Sequence, residues 1–547
     1  MSPKEKMAFR QLLNGLVNFV GADGKVDFRE TTAILGLAKP LADADPDCAA
    51  LVKLLEAVRE DGKIDENESE QIIELVRALS MKDTGLVYGI EDKPPFFDAL
   101  FAALQHLLAI FVGIITPPII ICSALGCDDS VKAFMISMAL FASGVCTFIQ
   151  CRRIGPVGAK LLCVQGTSFQ FIGPLIGVGF FAQSMAAKSG MAPGDAAVMY
   201  GLPMIFGCCI LAAPAEMLAA FLFKRLRKVI TPLVSGIVVA LIGLGLVKVG
   251  IISCCGGFGA MGRPDTDLFC FASWRNLTIS GAVLLTIVFF NTFRNKYIRM
   301  GSVVFGIIVG YLIAWRFGIL DFHFTSNALN IPMPFKWGVK FDIGSIVGLA
   351  IVYFITSIEA NGDITANSMI SGLSIEDDSY HARVRGGVLA DGVNSAVAGV
   401  FNSFPNSIFA QNNGLIQLTG VASRHVGYYI AALLVLLGLF PVVGDLFSTM
   451  PDPVLGGATL LMFGMVASAG IRIIASQPLG RKESLVLAIS LGLGLGIELC
   501  PQVMVNGNGV PWILKFAPDM VRNIFSSGLV TGGVAAILAN ACIRIKE

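Results

Sequence analysis

Glu359, Asp391 and His106 are ionisable side chains set within apolar runs, and that setting limits what they can be for. Glu359 lies in the run 351–363, with Thr356 and Ser357 just before it and Asp363 one turn further along the same helical face. Asp391 follows Ala390 in 386–392, and His106, preceded by Gln105, interrupts the apolar stretch 102–109. An ionised carboxylate at the centre of a membrane helix costs roughly 2.5–3.5 kcal/mol on insertion scales, so such a group needs a partner or a task. The tasks open to it are ligand binding and proton carriage. Plainer readings exist for three of the residues: His106 as an interhelical strut, Asp363 and Asp391 as helix-pairing groups. Glu359, deep in its run and flanked by hydroxyls, fits a plain reading least well.

Two further polar clusters sit inside apolar stretches. Gln165, Gly166, Thr167, Ser168, Phe169 and Gln170 interrupt 157–182, and Gln411, Asn412, Asn413 and Gly414 interrupt 406–422. Glycine-containing breaks at matching places in two halves point to discontinuous helices around a binding site at mid-membrane. About seven spans separate them, and an odd number inverts the second copy, so two inverted repeats are expected. Ser168-Phe169 and Ala410-Gln411 each precede the helical remainder of their stretch, where free backbone N–H groups and the positive end of a helix dipole would meet a ligand.

The elements that must hold these groups are membrane helices. Of 547 residues, 55% are hydrophobic and only 14% charged, against roughly 25% charged in soluble proteins. That excludes a water-soluble enzyme. A net charge of +1 leaves no basic field for nucleic acid, so the surrounding partner is the lipid bilayer. Sixty glycines without a collagen period suit closely packed and broken helices. From residue 96 onward about fourteen apolar stretches of about 20 residues follow one another, from 96–125 through 427–443 to 526–542. With a cytoplasmic N terminus this count places Arg152-Arg153, the cluster 224–228, Arg481-Lys482 and Arg544 to Lys546 inside, as the positive-inside rule requires. Both termini are expected on the cytoplasmic side of an inner or plasma membrane.

Residues 1–93 differ in kind, with twelve Lys/Arg against eighteen Asp/Glu. Asp23-Gly24-Lys25 with Glu30 recurs as Asp61-Gly62-Lys63 with Glu68. Each copy resembles half an EF-hand loop, but Phe19, Gly21, Ala57 and Arg59 stand where calcium needs oxygen ligands. The expectation is a small acidic helical cytoplasmic domain, similar to tellurite-resistance-type domains and suited to an unknown cytoplasmic partner, followed by a membrane domain over 94–547. No metal site and no catalytic site are expected, because the histidines are scattered and no HExxH spacing occurs.

These residues together resemble the nucleobase/ascorbate transporters, also called nucleobase-cation symporter 2, in the xanthine and urate permease branch. The family's tenth-span signature stands here as Gln411-Asn412-Asn413-Gly414, four residues, then Thr419-Gly420; its first-span pair as Gln105-His106; its third-span break as Gly166 to Phe169; its eighth-span acid as Glu359; and its ninth-span motif as Ala390-Asp391-Gly392. The resemblance covers about residues 95–545. It implies an all-α polytopic fold of fourteen spans in two inverted seven-span repeats. A core domain would move against a gate domain, with short β-strands where spans three and ten break, and the protein would form a homodimer. It also implies that Gln411, Glu359, Phe169, Ser168 and Ala410 meet the substrate, while Asp391, His106, Asn412, Asp363 and Gln105 serve coupling or scaffold roles. A purine dione presents ring N–H donors beside carbonyl acceptors, which a carboxamide and a carboxylate match in one plane. Gln at 411 is associated with xanthine and urate carriers, Glu with the uracil branch and Pro with the ascorbate branch. The expected activity is import of an oxidised purine, with no cofactor and a proton as coupling ion carried by Glu359 or Asp391. The alternatives are a uracil or other nucleobase permease and an anion exchanger of the sulfate-carrier type, which shares the architecture.

Overall fold

The structure, a computed structural model, describes residues 86–187, 193–226, 231–320, 329–374, 378–475, 479–505 and 508–543, a few single positions between 262 and 300 aside, with scattered residues before 86. Both copies of the N-terminal repeat, 22–30 and 60–68, lie outside the described residues.

Helix α1, Phe96–Leu125, starts directly after Pro95 and stops at Gly126, whose φ of 73° lets its N–H bond back to Ser123 and Cys122 carbonyls. Such a left-handed cap suits a residue without a Cβ. Asp128 then precedes α2, Asp129–Arg152. The two polar breaks become strands: β1, Gln165–Thr167, pairs antiparallel with β2, Asn406–Ile408, with Gly166 opposite Ser407. The Ser168 N–H donates to the Pro405 carbonyl (2.9 Å) and the Phe409 N–H to that of Val164 (3.0 Å), so the ladder continues at both ends. Because each strand satisfies the other's backbone, chain that is not helical can sit in the interior. A 3₁₀ turn, Phe169–Phe171, leads β1 into α3, Ile172–Ala187.

The next stretch enters through a π turn, Ala197–Gly201, into α4, Leu202–Ala212, and Pro214 restarts it as α5, Pro214–Leu226. Then come α6, Pro232–Cys254, α7, Trp274–Asn291, and α8, Ser302–Arg316. The second half begins with α9, Ile343–Ile370, and α10, Asp378–Val400, before β2. After β2 follow α11, Gln411–Thr419, and α12, Arg424–Leu439. The apolar stretch 427–443 is expected to be one span; in the structure the chain bends by 73° after Leu439 and continues as α13, Pro441–Ser448. Pro441 lacks the N–H that would carry the helix through, and it is well placed at the start of a new one. Last come α14, Asp452–Ala475, α15, Arg481–Leu499, the hairpin β3–β4 (Gln502–Val505, Asn508–Pro511), α16, Asp519–Phe525, and α17, Gly528–Cys542. Seven of the described helices are long and apolar enough to cross a membrane, or eight if the bent pair is one span. Shorter apolar helices, α8 and α17, accompany them.

The helices pack in two groups. One joins α2 to α12 and α5 to α10; the other joins α6 to α14, α7 to α8 and α15 to α17. Small residues set the close approaches, as expected where lipid removes the hydrophobic drive between helices. A Cβ on Gly470 would lie 2.2 Å from the Ala240 nitrogen, and one on Gly243 equally near that of Ala467. Between α2 and α12, a Cβ on Gly438 would come within 2.5 Å of the Phe141 nitrogen.

Candidate functional site

The strand pair brings the starts of α3 and α11 toward α9, so residues from 239 to 243 positions apart in sequence share one region. Gln411 is the first residue of α11 and, like Ala410, is exposed to open space. Phe169 is half-buried at the equivalent start before α3. Its ring lies nearly parallel to that of Phe409, with centroids 6.4 Å apart and an interplanar angle of 14°, and edge-on to Phe463 at 5.6 Å. The Phe409 ring is seated on two glycines: a Cβ on Gly166 or Gly113 would fall 2.5 or 2.8 Å from it. Thus the glycine of the first break fixes an aromatic of the second. Ser168 is buried, with its hydroxyl unpaired in the described structure.

Glu359 is half-buried on α9, and one of its carboxylate oxygens has no hydrogen-bond partner. Asp363, one turn on, accepts through its main-chain carbonyl from Asn413 Nδ2 (3.2 Å), while its own Oδ2 is buried and unpaired. Asp391 is fully buried on α10. Gln165 Nε2 donates to its Oδ1 at 2.6 Å, tying the ninth stretch to β1, and its Oδ2 has no partner. Asn412 and Asn367 hold the tenth stretch: both donate to the Leu162 carbonyl, at 2.5 and 2.9 Å, and Asn367 also donates to Asn413 Oδ1 at 2.9 Å. His106 is fully buried on α1 next to Asn412, with neither ring nitrogen in hydrogen-bond geometry, and Gln105 is buried beside it in sequence.

The sequence-selected residues therefore separate into two sets. Gln411 and Ala410 are exposed and Phe169, Glu359 and Asp363 half-buried, whereas Asp391, Asn412, His106 and Gln105 are buried. Phe409, Asn367 and Glu216 were not singled out beforehand. Glu216, an acid near the start of α5 in the apolar stretch 195–221, is 1% exposed and accepts from the Thr356 hydroxyl at 2.9 Å; its signal was the same one that drew attention to Glu359. Phe409 could have been found as the aromatic two residues before Gln411. Chemically, the arrangement offers an aromatic face for a flat ring, an amide that both donates and accepts, and a carboxylate with spare acceptor capacity.

The permease family model Xan_ur_permease matches residues 97–503. The xanthine permease XanP of Escherichia coli (strain K12) is 44% identical over 462 residues, which is 84% of this chain and 95% of that protein. The xanthine permease XanQ of the same strain is 41% identical over 457 residues, 83% and 93% of the two chains. The uric acid permease PucJ of Bacillus subtilis (strain 168) is 31% identical over 455 residues, 82% and 94%. Among solved structures, that of SLC26A9 superposes with a TM-score of 0.53 at 12% identity, over 82% of this chain and 66% of that one. That last likeness is one of fold.

Proposed function

The chain belongs to the nucleobase/ascorbate transporter family of permeases, and from this premise we propose that it imports an oxidised purine, xanthine or urate, by proton symport. It is a membrane transporter, not an enzyme. The observation that carries the purine reading is that the strand pair brings together the elements bearing Gln411, exposed at the first turn of α11, half-buried Phe169 and Glu359, whose carboxylate has an unused oxygen. The purine ring lies against Phe169, Gln411 donates to one ring acceptor and accepts from one N–H, and ionised Glu359 accepts from another. Relatives named for xanthine and uric acid transport favour this ligand class over uracil and over a divalent anion.

Fourteen spans in two inverted repeats are part of the same proposal. In its support, β1 pairs with β2 and α6 packs on α14, each joining stretches seven apart, and the α2–α12 contact maps onto the α10–α5 contact when each stretch is shifted by seven. Alternating access then moves the group holding both broken stretches against the group built on α6 and α14, with both termini cytoplasmic and the protein a homodimer. The acidic segment that precedes the membrane domain is, in the same proposal, the module that docks a cytoplasmic partner.

Uptake of radiolabelled xanthine, challenged with unlabelled xanthine, urate, uracil, hypoxanthine and guanine, tests the substrate assignment. In wild type, xanthine and urate compete and uracil does not. Gln411→Glu replaces the amide donor by a second acceptor, so xanthine uptake falls about tenfold or more, the cost of one buried group left unpaired. If no purine competes, or if Gln411→Glu leaves the panel unchanged, the assignment is wrong.

A further inference from the structure

Glu216 is a buried acid that the site described above does not use. It lies on α5 two residues after Pro214, and the Thr356 hydroxyl of α9 is 2.9 Å from its Oε1. The same hydroxyl is also 2.9 Å from the main-chain carbonyl of Tyr353. A hydroxyl has a single proton to donate, and a carbonyl can only accept. Two arrangements follow. With Glu216 ionised, the Thr356 proton turns to Oε1 and the contact with the Tyr353 carbonyl is not a hydrogen bond. With Glu216 protonated, the carboxyl donates to Thr356 Oγ1, and the Thr356 hydroxyl donates to the Tyr353 carbonyl. Only the protonated acid makes both short contacts hydrogen bonds at once.

Thr356 stands three residues before Glu359, on the same face of α9. The titratable groups around Glu216 are Asp391 on α10 and Glu359 and Tyr353 on α9, with Cys209 of α4 beside Tyr353. Among the described residues, the ion pairs of Lys and Arg involve other acids than Glu216, Glu359 and Asp391. Asp391 Oδ2 and Glu359 Oε2 are buried without partners. Ionised together, the three carboxylates would repel one another with no counter-charge, so a proton held among them lowers the energy.

We propose that Glu216 is a second proton-holding site of the transport cycle, and that rotation of the Thr356 hydroxyl between Glu216 Oε1 and the Tyr353 carbonyl passes its charge state to the helix bearing Glu359. The proposal rests on the proton-symport reading. In the step itself an O–H bond at Glu359 breaks and one at Glu216 forms; no other bond changes. When the proton arrives on Glu216, Glu359 is ionised and free to accept from the substrate ring.

The test uses full-length protein in liposomes with a trapped pH dye. Xanthine-induced proton entry in wild type is the control for symport, and its absence would remove the reading beneath the proposal without involving Glu216. Glu216→Gln keeps the hydrogen bond to Thr356 but cannot take up a proton. Its xanthine exchange, which moves no net proton, stays within about threefold of wild type, while accumulation driven by a pH gradient falls about tenfold or more, the equivalent of at least one unit of protonation linkage. An equal loss of both, or of neither, overturns the proposal. Infrared difference spectra of purified Thr356→Val against wild type give an independent readout. Removing the hydroxyl shifts one protonated-carboxyl band, and an unshifted band overturns the proposal even if Glu216→Gln does not fold.

Discussion

In the proposed purine site Phe169 and Gln411 have different roles, and substitutions should separate them. Phe169 is held from two sides, by the parallel Phe409 ring and the edge of Phe463, so its plane is set before any ligand arrives. An aromatic partner contributes about 0.5–1.5 kcal/mol beyond its area, so Phe169→Ala should raise KM for xanthine roughly threefold to tenfold. The order of preference in the competition panel should remain as in wild type, because the ring orients without reading donors and acceptors. Uptake kinetics across the panel check both points, and an altered order of preference would contradict this division of roles. Behind these residues, Asn412 and Asn367 converge on the Leu162 carbonyl, which fixes the entry to β1 against α11 and α9.

At the scale of elements, the chain before α1 is stitched to the far end of the second broken stretch. Val87 and Tyr88 donate to the Gly420 carbonyl, Ala422 and Arg424 donate back to Tyr88 and Ile90, and the Ser423 hydroxyl reaches the Asp92 carbonyl at 2.6 Å. Glu91 locks this strap through Arg424 (2.6 Å) and Lys160 (3.0 Å), the latter from the loop that enters β1. The Arg424 hydrogen bond, with the smaller help of Lys160, holds the Glu91 carboxyl below its ordinary value against a modest desolvation effect. An acid whose folded value is depressed stabilises the folded strap above the ordinary carboxylate range, and that contribution is lost as pH falls through the lowered value. Brief pepsin digestion should therefore leave 86–93 intact at about pH 5 and cut it increasingly toward about pH 3. Arg424→Ala should be cut already at the higher pH. Equal cutting of both proteins at every pH would show that the strap holds without the ion pair.

Across the whole molecule, the α6–α14 contact joins the first and second halves of the chain inside one helix group. Backbone meets backbone there at Gly243, Gly470 and Gly236, with no room for a side chain. Overfilling a well-packed site costs about 1–3 kcal/mol and sometimes more. Gly470→Val should therefore lower the unfolding temperature in detergent, and it should do so more than Gly464→Val, where a Cβ meets nothing within 4 Å. Equal shifts would argue against close backbone approach as the basis of this contact.

Much of this was legible in one dimension, for a simple reason: lipid makes polar groups costly, so every acid, amide and glycine inside an apolar run stands out. The composition, the two polar breaks, the acids Glu359 and Asp391 and the Gln411 motif were all visible in this way, whereas short strands at the breaks were implied only by the family resemblance. What the order of residues could not state was which polar groups meet. That Gln165 serves Asp391, that Gly166 seats Phe409 and that Glu216 shares a hydroxyl with the Tyr353 carbonyl depend on contacts between residues from 140 to 243 positions apart or on a helix turn viewed from a neighbouring helix. The bend at Pro441 was likewise invisible to hydropathy, which registers apolar length but not direction. Solvent preference is a property of each residue and can be read in sequence; hydrogen-bond partnership is a property of pairs, and only the packed tertiary structure decides it.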